Sequence, residues 1–199
     1  LTAPLVLASG SATRRAILEA AGLLIIADAP DLDENAIKLS CRTQGLSVGE
    51  TARVLAVAKA TQVAPRHPGR IVLGADQMLE CEGVWFDKPA DRAAAARQIA
   101  KLSGRTHTLF SAIAAIRDDA VIWRAIESAE LTIRPLSASF IESYLDRVGD
   151  GALSSVGGYQ VEGVGIQLFS AIQGEHSTIL GLPLLPLLDF LRDEGVVAR

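Results

Sequence analysis

The sequence predicts a mixed α/β protein. Three observations carry that prediction. Short apolar runs alternate with amphipathic stretches through the first half of the chain. In the second half, two long apolar runs face each other across an Asp118-Asp119 turn. Alternation followed by a hairpin is the pattern of a sheet with both parallel and antiparallel neighbours.

Each element has a local reason. Residues 5–8 read as a strand and 13–21 as a helix, closed by Gly22. Residues 23–27 form a second strand. Residues 29–46 read as a polar, irregular segment containing Pro30 and Gly45. Residues 49–64 are helical, with Val54, Leu55, Ala58 and Thr61 on one face, and Pro65 stops the helix. Residues 71–74 are a buried strand that leads to Asp76 just past its end. Residues 78–86 read as a hairpin turning at Glu82-Gly83. An Ala-rich helix over 91–102 is capped by Asp91, and strands follow over 106–116 and 121–133. Residues 139–148 form a helix in which Glu142 completes a capping box. A glycine-rich stretch over 149–165 precedes the last helix, 183–194. No repeat or low-complexity segment interrupts this order.

Composition bounds the class. A chain of 199 residues is the size of one domain of two lobes, and a hydrophobic share of 49% fills a large core. The formal net charge of −4 argues against a general nucleic-acid or membrane-surface binder. Cys41 and Cys81 are the only cysteines, which suggests no disulfide framework and fits a reducing cytosol. No apolar run approaches the ~18 residues of a membrane span. The N-terminus, beginning at Leu1, lacks the basic region of a signal peptide. A cytoplasmic location is the expectation.

The stretch "LASGSATRR" puts Ser9, Ser11, Arg14 and Arg15 where a strand meets a helix. A helix N-terminus offers free N–H groups and the positive end of a dipole, so phosphate suits the place. A capped helix with solvated arginines is the plainer alternative. His67, His107 and His176 match no zinc spacing and read as surface or loop residues. No P-loop and no Gly-x-Ser-x-Gly elbow is present, and Gly163-Val164-Gly165 lacks the third glycine of a dinucleotide fingerprint. What remains is carboxylates and lysines. Asp76 in "GADQ" suits Mg²⁺ or a proton from water, or else a plain turn. Asp31, Asp33 and Glu34 crowd one loop and need water, a cation or basic partners. Lys59 lies within a helix and Lys88 just before one.

Taken together, the set resembles the Maf-like proteins. The Ser-x-Ser-x-x-Arg opening, the Asp-Glu pair, "GADQ", Lys-Pro before a helix, "LSGRTHT", "GGYQVEGVG" and "ILGLP" stand in the family's order from Leu5 to Pro183. The resemblance implies a Maf/ITPase-like two-lobed fold, with a mixed sheet around a deep nucleotide-binding cleft and residues 1–199 as a single domain. It implies nucleoside triphosphate pyrophosphatase activity in a homodimer, with no nucleic-acid or membrane partner. Ser9, Ser11, Arg14, Lys59 and Lys88 match the phosphate-binding positions, with Arg15 as a further contact. Glu34 and Asp76 match the acidic pair that holds Mg²⁺ or another divalent cation, with Asp76 as proton acceptor. Thr13, Gln77 and Glu162 fall at positions that sort substrates, and Gln77 and Glu162 look like the subgroup acting on 7-methyl-GTP. The chain departs from the family at Ala12, where many members have Pro. It departs again at Thr13, where Arg or Trp is common, and at Asp87, where Gly is usual.

The implied chemistry is attack of water at the α-phosphorus, releasing pyrophosphate and a nucleoside monophosphate. Two other classes are open at this point: a nucleotide-binding regulator of cell division without turnover, and a sugar-phosphate phosphatase that releases orthophosphate. A carboxylate such as Glu162 accepts both donors of guanine's Watson–Crick edge, an edge that uracil and thymine lack.

Overall fold

The computed structural model describes residues 4–198. Its strands are β1 (Leu5–Ala8), β2 (Ile25–Ala27), β3 (Ile71–Cys81), β4 (Val84–Phe86), β5 (Thr106–Arg117), β6 (Ala120–Ile133) and β7 (Phe169–Gln173). They form one seven-stranded sheet in the order β2-β1-β3-β5-β6-β7, with β4 paired to β3. β1 runs parallel to β2 and to β3, whereas β4 is antiparallel to β3 and β7 to β6. The fold is therefore mixed α/β, as the sequence predicts.

The helices are α1 (Ala12–Ala20), α2 (Glu34–Thr43), α3 (Val48–Val63), α4 (Arg92–Leu102), α5 (Ala138–Val148), α6 (His176–Ile179) and α7 (Leu184–Asp193). Among the described residues none is long and apolar enough to cross a membrane. Cys41 and Cys81 are buried free thiols.

The chain forms two compact units. The first comprises residues 4–77, 110–127 and 176–198. β1 and the first half of β3 are apolar on both faces, as strands covered on both sides must be. Leu5, Leu7, Leu73, Ala75, Ile113 and Ala115 pack with Leu18 of α1 and with Leu187, Phe190 and Leu191 of α7. The alternate residues Val6, Ala8, Val72 and Ile116 pack against Ala60 and Val63 of α3. The period of two along each strand thus assigns α1 and α7 to one face and α3 to the other. α3 lies close on β3 because Gly74 has no side chain: a Cβ there would fall 2.0 Å from the Ala56 carbonyl oxygen.

The second unit comprises residues 78–109 and 128–175. Here α4 and α5 pack on each other and on the 3₁₀ turns Gly149–Leu153 and Val156–Gly158. The β3–β4 hairpin turns where expected, with Glu82 at φ 51° and Gly83 at φ 79°.

The structure corrects several sequence readings. Residues 34–43, read as irregular, are α2, an amphipathic helix capped by Asp33 that buries only Cys41. Asp76 lies within β3 and not past a strand end, because the strand continues through the polar pair Asp76-Gln77. α5 is capped by Ser137, which accepts from the Phe140 N–H at 3.2 Å, and not by a Ser139–Glu142 box. Glu142 pairs instead with Arg92 at 2.7 Å. His107, read as a surface or loop residue, is a buried residue of β5.

Candidate active site

Four segments of the first unit bring the predicted residues together: the β1–α1 turn, α2, α3 and β3. The turn between β1 and α1 supplies Ser9, Ser11 and Arg14. Ser11 caps α1 by accepting from the Arg14 N–H at 3.3 Å, which satisfies one of the helix's unpaired donors. The buried Ser9 Oγ accepts from the Ser11 N–H at 3.2 Å and from Arg14 Nη1 at 3.3 Å. Arg14 is fixed further by donating Nη1 to the Ala75 carbonyl at 2.8 Å and Nε to the Gly181 carbonyl at 2.9 Å. Three bonds thus aim a guanidinium that the plainer alternative leaves in solvent.

The second part is an acid–base cluster. Lys59 of α3 donates Nζ to Asp76 Oδ1 at 2.6 Å and lies 2.8 Å from Glu34 Oε1. Lys59 is 6% exposed and Asp76 5%, so the pair is desolvated. Glu34 is the first residue of α2, placed there by Asp33, whose Oδ1 accepts from the Ala36 N–H at 3.0 Å. Asp76 reaches Lys59 because even-numbered residues of β3 face α3, and Gly74 admits that helix. Burial raises the Asp76 pKa above the usual carboxylate range, while Lys59 and Arg14 pull it back. Removing one partner of such a pair costs about 3–5 kcal/mol, because a buried charge is left uncompensated.

Other predicted residues fall elsewhere. Arg15 is not in the cluster; it pairs with Glu19 at 2.7 Å on the exposed side of α1. Thr13 is exposed on the same helix. Gln77 faces away from Asp76 and donates Nε2 to Ser111 Oγ at 3.0 Å and to the Thr178 and Ile179 carbonyls at 3.2 and 2.9 Å. Lys88 and Glu162 belong to the second unit and are exposed, Lys88 between β4 and α4 and Glu162 at the start of the turn Gly163–Leu168.

Some participants escaped the sequence reading. Ser111 donates to the Thr178 carbonyl at 2.7 Å. Its signal was a lone hydroxyl inside the apolar run of β5. The carbonyls of Ala75 and Gly181 left no signal, since any residue supplies one. His107 Nε2 lies 2.6 Å from Tyr159 Oη, both buried in the second unit.

Among the described residues no three His, Cys, Asp or Glu side chains converge as a metal cage. Glu34 and Asp76 are two hard-oxygen donors that both approach the Lys59 ammonium. That set fits Mg²⁺, which takes one or two carboxylates and completes its shell with water and phosphate.

A capped helix N-terminus bearing an aimed arginine, beside a lysine–carboxylate cluster, sits on the mixed sheet of an α/β protein. A family model described as Maf-like protein matches residues 4–194, and the chain belongs to that family. It is 53% identical over 195 residues to a nucleoside triphosphate pyrophosphatase of Rhodopseudomonas palustris (strain BisB5), covering 98% of this chain and 95% of the relative. It is 49% identical over 189 residues to a protein of the same name from Paramagnetospirillum magneticum, covering 95% and 97%. It is 48% identical over 197 residues to a 7-methyl-GTP pyrophosphatase of Brucella abortus biovar 1, covering 99% of both chains.

Proposed function

We propose that this chain hydrolyses nucleoside triphosphates to nucleoside monophosphate and pyrophosphate, with Asp76 as the proton acceptor. The carrying observation is the buried Asp76–Lys59 pair, joined by the half-exposed Glu34, beside the fixed Arg14, in a chain about half identical to curated pyrophosphatases along nearly its whole length. A nucleoside triphosphate carries about four negative charges at neutral pH. Arg14 and the α1 N-terminus bind phosphate oxygens, with Ser9 and Ser11 shaping the turn, and Lys88 adds a further positive charge. Asp76 orients the attacking water and takes its proton; desolvation strengthens it as a base. Lys59 holds that carboxylate in place. Glu34 and Asp76 would hold a divalent cation, Mg²⁺ in the first instance, which would supply polarisation of the phosphoryl oxygens and offset developing charge. Most of the acceleration then comes from positioning and charge.

For the base, the reading is 7-methyl-GTP, supported by the carboxylate chemistry of Glu162 and by the name of the Brucella relative. N7-methylation makes guanine cationic, which a carboxylate favours. Thr13 supplies no aromatic surface on which such a base stacks. A homodimeric, cytoplasmic enzyme is the accompanying expectation.

The test is a panel of 7-methyl-GTP, GTP, UTP and dTTP with Mg²⁺, assayed separately for pyrophosphate and orthophosphate. Pyrophosphate release is expected, with Glu162→Gln losing most on 7-methyl-GTP. Orthophosphate alone, or nucleotide binding without turnover, refutes the reaction. A preference for UTP or dTTP refutes the base assignment and leaves the reaction standing.

A further inference from the structure

Gln77 follows Asp76 in sequence but serves the opposite face of β3. Its Nε2 has three oxygen acceptors within 3.2 Å: Ser111 Oγ and the Thr178 and Ile179 carbonyls. Ser111 donates to the same Thr178 carbonyl at 2.7 Å, and the Gly181 N–H donates to it at 3.0 Å. Two side chains and one backbone amide therefore tie down the turn from α6 to Leu182. At the end of that turn the Gly181 carbonyl accepts Arg14 Nε. Gly181 has φ +96°, and a Cβ there would lie 3.5 Å from Arg14 Nε, Arg14 Nη2 and Gln77 Oε1 alike. The turn is thus held against Gln77 on one side and Arg14 on the other. An amide committed to main-chain carbonyls has no donor left for a nucleobase.

We infer that Gln77 is a positioning residue for phosphate binding: with Ser111 it fixes the 178–181 turn, and the turn fixes Arg14. This rests on the reading that Arg14 holds phosphate. It reassigns a position that the resemblance gives to base selection. A guanidinium bound at Nε and Nη1 keeps its Nη2 edge for a ligand, and the direction of that edge depends on where the Gly181 carbonyl stands.

The experiment compares wild type, Gln77→Ala and Ser111→Ala. Pyrophosphate binding with Mg²⁺ is measured by calorimetry, and kcat/KM by pyrophosphate release from 7-methyl-GTP, GTP, UTP and dTTP. The expected result for Gln77→Ala is about tenfold weaker pyrophosphate binding, with kcat/KM falling about tenfold on every nucleotide. The ratios between nucleotides stay within about twofold. Ser111→Ala shifts the same way by less, and keeps the test open should Gln77→Ala fail to fold. Unequal losses that reorder the nucleotides, with pyrophosphate binding unchanged, overturn the inference in favour of base reading. A lowered Tm with binding and kcat/KM both unchanged overturns it in favour of a merely structural role. A wild type that binds pyrophosphate yet hydrolyses nothing refutes the proposed reaction alone, and the calorimetric arm still decides the inference. A wild type that does not bind pyrophosphate refutes the inference.

Discussion

His107 ties stability to pH, with a sign and a size that the structure sets. The ring is 1% exposed, Nε2 bonds Tyr159 Oη at 2.6 Å, and Nδ1 has no hydrogen-bond partner. Burial lowers its pKa from 6.5 to about 4, and burial also pushes the Tyr159 hydroxyl up, so both partners are neutral near pH 7. As pH falls through 6.5 the unfolded chain takes a proton on His107, while the folded protein does not until about 4. The unfolded state then holds more protons, so stability is full above the unfolded pKa and is lost as pH falls towards the folded one. At about 1.36 kcal/mol per pH unit, the interval from 6.5 to about 4 corresponds to a loss near 3 kcal/mol. The comparison is wild type with His107→Gln, which keeps a group able to bond Tyr159 and does not titrate. Urea unfolding between about pH 7 and pH 4 supplies the free energies. Every carboxylate is common to both proteins, Asp76 included, so their contributions cancel in the difference. Wild type is expected to lose about 3 kcal/mol more than the variant across that window. Parallel curves would refute the assignment of a neutral, desolvated histidine.

Asp76→Asn keeps the shape and removes the base; kcat is expected to fall about 10²-fold or more with circular dichroism unchanged, and near-full activity refutes the role. Lys88→Ala should lower kcat/KM without moving Tm, since exposed charges add little stability, and added salt should weaken substrate use by wild type in the same direction. Gly74→Ala drives a Cβ to within 2.0 Å of the Ala56 carbonyl, so denaturant unfolding should show a loss of about 1–3 kcal/mol or more together with reduced kcat. A Gly74→Ala protein as stable and active as wild type would show that α3 does not depend on this contact.

The sequence was legible where an element's period, cap and breaker agree. β1 begins and ends as read, and α4 is capped by Asp91 as read, with the Ala94 N–H donating at 2.6 Å. It was not legible where polar residues serve the interior. Asp76, Gln77 and Ser111 interrupt apolar runs, so β3 reads as two pieces, although each side chain finds its partner only after folding. α2 was missed although its Ile37 and Cys41 stand four residues apart on one face, because that stripe is only two residues long and follows an acidic run. β7 and α6, also missed, are short and take their place from distant pairings such as Leu131 with Ile172. The opening Ser-x-Ser-x-x-Arg was legible as a capped helix start because a strand-to-helix junction is local. That Arg14 leans on residues 75 and 181 was not, since those carbonyls lie far away in sequence.

One strand accounts for both halves of this arrangement. The alternation of β3 sends Asp76 towards α3 and Gln77 towards α6, so adjacent residues organise the acid–base cluster and the arginine clasp on opposite faces. A slip of one residue would turn each side chain to the opposite face, so the carboxylate would lose Lys59 and the amide would lose the carbonyls of the turn. The register that prevents this is fixed two residues earlier. Ala8 pairs with Gly74, and Gly74 sits where α3 comes too close for any side chain. The same pairing brings the end of β1, and with it Ser9 and the α1 cap, level with Ala75 and Asp76. Arg14 can therefore bond the Ala75 carbonyl while its charge acts on the Asp76 carboxylate. The juxtaposition of the Arg14 clasp and the Asp76 carboxylate thus follows from strand register, and residues with no chemistry of their own set the geometry of those that have it.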